Sequence, residues 1–237
     1  MIYPRVFPVT ALTLTLLASM NLPANLAAEP QSPPLVVVGF VGGRVAHDNV
    51  VHQEVQLVNH LRQEYPVGMN AEIFENHAGS RAHQEILRLL DTNGDGSLSA
   101  QEKLKARIIL YGHSWGASEA VTTARALEKD GVPVLLTIQV DSVGKRGEDD
   151  QTIPRNVAEA INLFQLDGFL HGRSQIVAAD PLRTQILGNI QYDYKNTPLK
   201  CEGYPWFARM FMKPHIEIES DPRIWSRIES LIRSKMK

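Results

Sequence analysis

Residues 112–116 read Gly112-His113-Ser114-Trp115-Gly116, a serine with a glycine two places to either side. A serine so flanked can act as a nucleophile when it sits on a sharp turn between a strand and a helix, where its hydroxyl is exposed. The run Arg107–Tyr111 (RIILY) predicts the strand, and Gly116–Lys129, closed by Gly131, predicts the helix. Side chains two residues from the serine would crowd neighbouring backbone at such a bend, which accounts for the glycines. The helix aims its N-terminus at the serine, where free N–H groups favour a developing oxyanion. The chemistry this points to is acyl transfer to water from an ester or thioester. A serine hydroxyl also needs a general base, and the base an orienting carboxylate.

A second constellation is a run of oxygen donors. Asp91-Thr92-Asn93-Gly94-Asp95-Gly96-Ser97-Leu98-Ser99-Ala100-Gln101-Glu102 fits the twelve-residue spacing of an EF-hand loop. Asp91, Asn93 and Asp95 take its first three ligand positions and Gly96 its sharp turn. Ser97 offers a backbone carbonyl, Ser99 can hold a water, and Glu102 can close the shell with two oxygens. A strand from Arg107 leaves no room for a full exiting helix, and no second loop is present to pair with this one. The expectation is therefore a structural calcium site, closer to a lone dockerin-like loop than to a sensor. Three carboxylates suggest modest affinity.

Around Ser114 the chain resembles the α/β-hydrolase superfamily, in element order from Leu35 to about Ile232 and at residue level in the Gly112–Gly116 turn. The resemblance implies an oxyanion hole of two backbone N–H groups, one from Trp115 and one from the loop after the first strand, at Phe40 or Val41. It implies the chain order serine, acid, histidine. Only His171 and His215 follow Ser114. His215, in a late loop before the last helix, is the stronger candidate base. Asp141, at the end of the strand after the nucleophile helix, matches the acid position of thioesterase-type members. Asp180, after the next candidate strand, matches most other members. Asp141 is favoured because its strand is the clearer one.

The elements that must hold these residues alternate. Leu35–Phe40 predicts a buried strand, ending at Gly42-Gly43. Residues 49–65 predict a helix, from apolar spacing at Val51, Val55, Val58 and Leu61. A strand over 71–74, a helix over 82–90 and a strand over 132–140 follow. Pro154 marks a helix start that continues through Val157–Phe164. Ser174–Ala178 is a marginal fifth strand, and residues 190–212 are irregular and aromatic-rich, able to line an acyl pocket or act as a lid. Asp221 and Pro222 open a last amphipathic helix. This alternation argues for an α/β fold, a three-layer α/β/α sandwich on a mostly parallel sheet.

Composition narrows the function classes. The 237 residues suit one domain with a sizeable core. With a formal charge of −2 and no basic stripe, nucleic acid is not an expected partner. The single cysteine, Cys201, excludes an internal disulfide. Residues 1–28, with Arg5 as the only charge, an apolar Thr-rich stretch and a small-residue end, predict an export signal cleaved near Ala28. No stable membrane span is expected after cleavage. Residues 29–34 form a linker, and 35–237 the catalytic domain. The expected protein is an exported, periplasmic or secreted, serine hydrolase acting on a small or lipid-like acyl ester. The alternatives are an inactive scaffold that binds calcium and an acyltransferase using the same residues.

Overall fold

The computed structural model describes Met1 and residues 33–236. The expected export signal and most of the linker lie outside the described residues. From residue 33 onward the order is β1 (Leu35–Val41), α1 (Gln53–Glu64), β2 (Met69–Glu75), α2 (Gly79–Leu90), α3 (Ala100–Leu104), β3 (Ile108–His113), α4 (Trp115–Lys129), β4 (Val134–Val140) and β5 (Thr152–Ile153). Then come β6 (Val157–Phe164), β7 (Val177–Ala178), β8 (Gln185–Gln191), α5 (Trp206–Phe211), α6 (Lys213–Ser220) and α7 (Pro222–Ser234).

Six strands form one sheet in the order β2-β1-β3-β4-β6-β8, every neighbouring pair parallel. The central strands are apolar on both faces because both faces are covered. Alternate residues serve opposite cores. Leu35, Val37, Ile109 and Tyr111 pack with Val58 and Leu61 of α1 and with Ile224, Ile228 and Ile232 of α7. Val36, Val38, Ile108 and Leu110 pack with Ile86 of α2 and with Ala120 and Ala124 of α4. The result is an α/β sandwich of three layers, and among the described residues no helix is long and apolar enough to cross a membrane.

Three segments depart from the sequence-based expectation. Val157–Phe164 is a strand, β6, not a helix, paired with β4 on one side and β8 on the other. Its Ala, Glu and Leu favour a helix, but its side chains at Val157, Ala160, Ile161 and Leu163 are buried between both layers, and tertiary context overrides propensity. Pro154 starts no helix; its carbonyl accepts the Val157 N–H in a turn. The expected strand over 174–178 shrinks to β7, which pairs only with β5 in a separate two-stranded sheet. Residues 190–212 are not wholly irregular: β8 ends inside them as an edge strand and α5 lies within them.

The bend after β3 depends on close contact. A Cβ on Gly116 would lie 2.1 Å from the Phe40 carbonyl oxygen, and one on Gly112 would lie 2.4 Å from the Gly116 carbonyl carbon. Both obstacles are backbone of central elements and have little freedom to retreat. Gly116→Ala is expected to destabilise the protein by roughly 2–3 kcal/mol, the upper part of the range for overpacking. Urea denaturation measures this, and a loss below about 0.5 kcal/mol, typical of a neutral surface change, contradicts the packing account.

Candidate active site

β3 ends at His113 and α4 begins at Trp115, so Ser114 alone makes the bend. It adopts φ 57° and ψ −124°, a left-handed backbone that L-residues rarely take. The bend is tied down by the Ser114 N–H, which donates to the Val140 carbonyl at 2.9 Å, and by the Ser114 carbonyl, which accepts from Ala117 at 3.1 Å. Trp115 opens α4, and first-turn N–H groups have no partner within a helix.

β4 lies beside β3 in the sheet, so its C-terminal end delivers Asp141 close to the bend. Asp141 also has a positive φ, 44°. One carboxylate oxygen, Oδ1, accepts from the Gly172 N–H at 2.8 Å and the Gln165 N–H at 3.1 Å. The other, Oδ2, accepts from Gln165 Nε2 at 2.8 Å and meets His215 Nδ1 at 2.6 Å. His215 Nε2 lies 2.9 Å from Ser114 Oγ. The imidazole thus joins a carboxylate and a hydroxyl from segments far apart in the chain. His215 rides on α6, a helix where a loop was expected, with Pro214 in its first turn.

Burial and hydrogen bonding set the charges. Burial works against ionisation of Asp141, but the bonds from His215 and Gln165 outweigh it and hold the carboxyl below its ordinary range. Burial and the neighbouring His113 disfavour the charged form of His215; together they exceed the pull of Asp141 and lower its pKa. The ring is therefore neutral, able to accept a proton at Nε2.

The other expected residues fall as follows. Asp180 does not touch His215; its Oδ1 accepts the Leu182 N–H at 3.0 Å in a local turn, beside Arg183. His171 is exposed, and its Nδ1 sits 3.2 Å from the Gly172 carbonyl. Phe40 and Val41 are the last residues of β1 and not part of the loop after it; the first loop residue, Gly42, is the one against the Ser114 side chain, an added Cβ there lying 3.1 Å from Ser114 Cβ. A cavity of about 620 Å³ opens on Ser114 and His215, walled by Gly42, Val45, Tyr204, Phe207, Ala208 and Met212. Its outer wall, α5, leaves Trp206, Phe207, Met210 and Phe211 exposed.

The oxygen-rich loop runs from the end of α2 to α3, a helix of five residues. The Asp91 carboxylate gathers the N–H groups of Gly94, Asp95 and Gly96, at 2.8–3.3 Å, and Gly96 turns the chain at φ 82°. Glu102 accepts from Thr92 at 2.8 Å and from Ser99 at 2.9 Å, forming a capping box on α3. These bonds pull Glu102 down to about 2. The donors are all hard oxygens of the kind calcium takes, and the chain curls around them. The three loop carboxylates are not gathered at one point, however. Among the described residues, the one trio of acidic or imidazole groups whose ligand atoms converge is His52, Glu54 and Glu219, within 4.8 Å of one another. That trio can hold a metal ion, and nothing in it selects calcium.

Sequence reasoning did not single out this second cluster. The His113 and His215 ring centroids lie 4.4 Å apart with the planes tilted by 37°, and His113 Nδ1 lies 3.1 Å from Glu219 Oε2. Glu219 Oε1 in turn meets His52 Nδ1 at 2.5 Å, and Glu54 is fully buried beside them. Burial alone would strip a proton from His113, but Glu219 and Glu54 outweigh it and raise its pKa to about 9. Burial and the adjoining Glu219 push Glu54 well above the ordinary carboxylate range, whereas His113 and His52 hold Glu219 below it. The sequence carries no signal for it: Glu219 falls in the stretch read as a late loop, and His52 and Glu54 read as polar residues of the helix over 49–65.

No family model and no curated protein matches the chain. Among solved structures it is similar to RedJ with a PEG molecule bound in the active site, at 12% identity over 90% of this chain and 96% of that one, with a TM-score of 0.35.

A lowered pKa means that His215 takes up its proton only as pH falls below 6.5, the ordinary value. An NMR titration of the His215 ring is expected to show its midpoint below that value. A midpoint at or above 6.5 contradicts the account of burial and neighbouring charge.

Proposed function

We propose that the protein is a serine hydrolase that cleaves a carboxylic ester or thioester through an acyl-enzyme on Ser114. The observation that carries this reading is the hydrogen-bonded run from Asp141 through His215 to Ser114 Oγ, at 2.6 and 2.9 Å. In the proposed reaction Ser114 Oγ attacks the acyl carbon as its proton passes to His215 Nε2. Asp141 holds the ring with Nδ1–H toward itself and stabilises the imidazolium that forms. The carbonyl oxygen becomes an oxyanion beside the Trp115 N–H and the main chain at Val41–Gly42. Collapse of this intermediate breaks the bond to the alcohol or thiol, which leaves with the proton from His215. Water then attacks the acyl-enzyme, giving its proton to His215, and the free acid departs as the proton returns to Ser114.

The apolar walls of the 620 Å³ cavity favour an acyl chain over a charged one. Ser114→Ala is expected to lower kcat for p-nitrophenyl ester hydrolysis at least about 10³-fold with the circular dichroism unchanged. Near-unchanged turnover overturns the reading. Loss of hydrolysis with retained transfer to an added alcohol in the wild type identifies an acyltransferase.

We propose as well that Asp91, Asn93, Asp95, Ser97, Ser99 and Glu102 form a structural calcium loop. The twelve-residue spacing and the curl of the chain around Asp91 support it, and binding needs Glu102 to turn from its capping contacts toward the ion. When bound, calcium supplies charge balance to the loop that leads into β3; no step of the reaction passes through it. The same reading takes residues 1–28 as an export signal, which places the loop where calcium is plentiful. Adding Ca²⁺ at a hundredfold excess over Kd to metal-stripped protein should raise Tm by roughly 5–10 °C. Asp95→Asn should blunt the rise. An identical melting curve with and without Ca²⁺ removes the proposal.

A further inference from the structure

Glu54 stands on the first turn of α1 with a fully buried side chain; neither carboxylate oxygen has a hydrogen-bond partner, and the nearest cationic group, His113 Nδ1, is 3.9 Å from Oε1. A buried carboxylate without partners costs several kcal/mol if it is charged, and even a neutral one forfeits its hydrogen bonds. Such groups in a native fold call for a missing partner. Two other potential ligands lie around it. Glu219, on α6, is 2% exposed, and His52, just before α1, faces the cavity with 12% of its side chain exposed. Ligand atoms of all three fall within 4.8 Å. α1 and α6 therefore bring two carboxylates and an imidazole to one point that is buried on the protein side and open to solvent through the cavity.

We propose that His52, Glu54 and Glu219 bind a divalent transition-metal ion of the zinc type. Two carboxylates facing each other at close range repel unless a proton or a cation lies between them, and a divalent ion can fill that role for Glu54 and Glu219. The donor set argues against calcium, which wants six to eight oxygens, and for a borderline ion that accepts nitrogen and oxygen in a small shell. With bonds of about 2.0–2.1 Å, tetrahedral zinc ligands stand roughly 3.3 Å apart. His52 Nδ1 and Glu219 Oε1, now at 2.5 Å, need to spread by less than an ångström, about 0.8 Å on that bond geometry. A Glu54 carboxylate oxygen lies within 4.8 Å of both and completes the trio by a similar small shift. His113, bonded to Glu219 at 3.1 Å and in ring contact with His215, is the outer partner that orients this ligand. The site thus lies one ring away from the proposed base, yet it does not depend on the hydrolase reading.

The test uses the full-length protein, stripped of metal and titrated with ZnCl₂. Isothermal titration calorimetry, with elemental analysis after dialysis, reads the stoichiometry. One tight equivalent is expected in the wild type, in Ser114→Ala and in Asp95→Asn, the last separating this site from the 91–102 loop. Glu54→Gln and His52→Gln should each weaken that equivalent at least about 100-fold, more than the loss of an outer partner costs. Should Glu54→Gln fail to fold, His52→Gln decides alone, since that residue is at the cavity edge. Crystals soaked in ZnCl₂ should give an anomalous peak between the three side chains. No tight equivalent in the wild type, or the same equivalent in the His52→Gln variant, overturns the site. An inactive wild type that keeps its zinc would sink the hydrolase reading and leave this one standing.

Discussion

Everything at the site depends on how closely α4 approaches the sheet. Gly116 touches the carbonyl oxygen of Phe40, and Gly112 touches Gly116 itself, so neither can carry a side chain without moving central backbone. That closeness leaves a single residue to turn the chain from strand to helix, and Ser114 does so at φ 57°. A strained bend of this kind persists only where surrounding structure over-determines it. Here the surroundings are the Val140 carbonyl, which holds the Ser114 N–H, and the first turn of α4. The outcome is a hydroxyl held at the carboxyl ends of β3 and β4, beside the free N–H groups of a helix start.

The same sheet order brings a carboxylate within reach of the bend. β4 neighbours β3, so Asp141 emerges next to the bend, and its carboxylate is fixed by Gln165 and Gly172 before His215 meets it. Fixing this carboxylate restricts the imidazole to one orientation, with Nε2 directed at Ser114. His215 itself is anchored from behind, since its backbone carbonyl accepts from His113 Nε2 at 3.2 Å. His113 is in turn tied to Glu219, and Glu219 to His52. His113, Glu219 and His52 therefore back the Ser114–His215–Asp141 run, and hydrogen-bonded networks of this kind rigidify the groups they support.

Much of this was legible in the sequence, and the unreadable parts have physical causes. The Gly-x-Ser-x-Gly run could be read because steric demands at a tight bend act over five residues. β1, β3 and β4 could be read because strands buried on both faces are continuous apolar runs. Val157–Phe164 was misread because its composition suits a helix, and only the slot between β4 and β8 makes it a strand. β8 was missed because an edge strand is half-exposed and shows no clean alternation. The contacts of His215 with Ser114 and Asp141 span 101 and 74 residues. The sequence could nominate those partners, but Asp141 and Asp180 differ only in three dimensions. The group of His52, Glu54, His113 and Glu219 was invisible for the same reason: each looks like an ordinary surface residue until three elements meet.

The central claim is that His215 makes Ser114 nucleophilic. The direct measurement is reaction of the folded protein with a fluorophosphonate, followed by mass spectrometry of its peptides. The account predicts one adduct per chain, on Ser114, and loss of that adduct in the folded His215→Ala variant. A wild-type protein that stays unlabelled at Ser114, or a His215→Ala variant labelled just as fast, would contradict it.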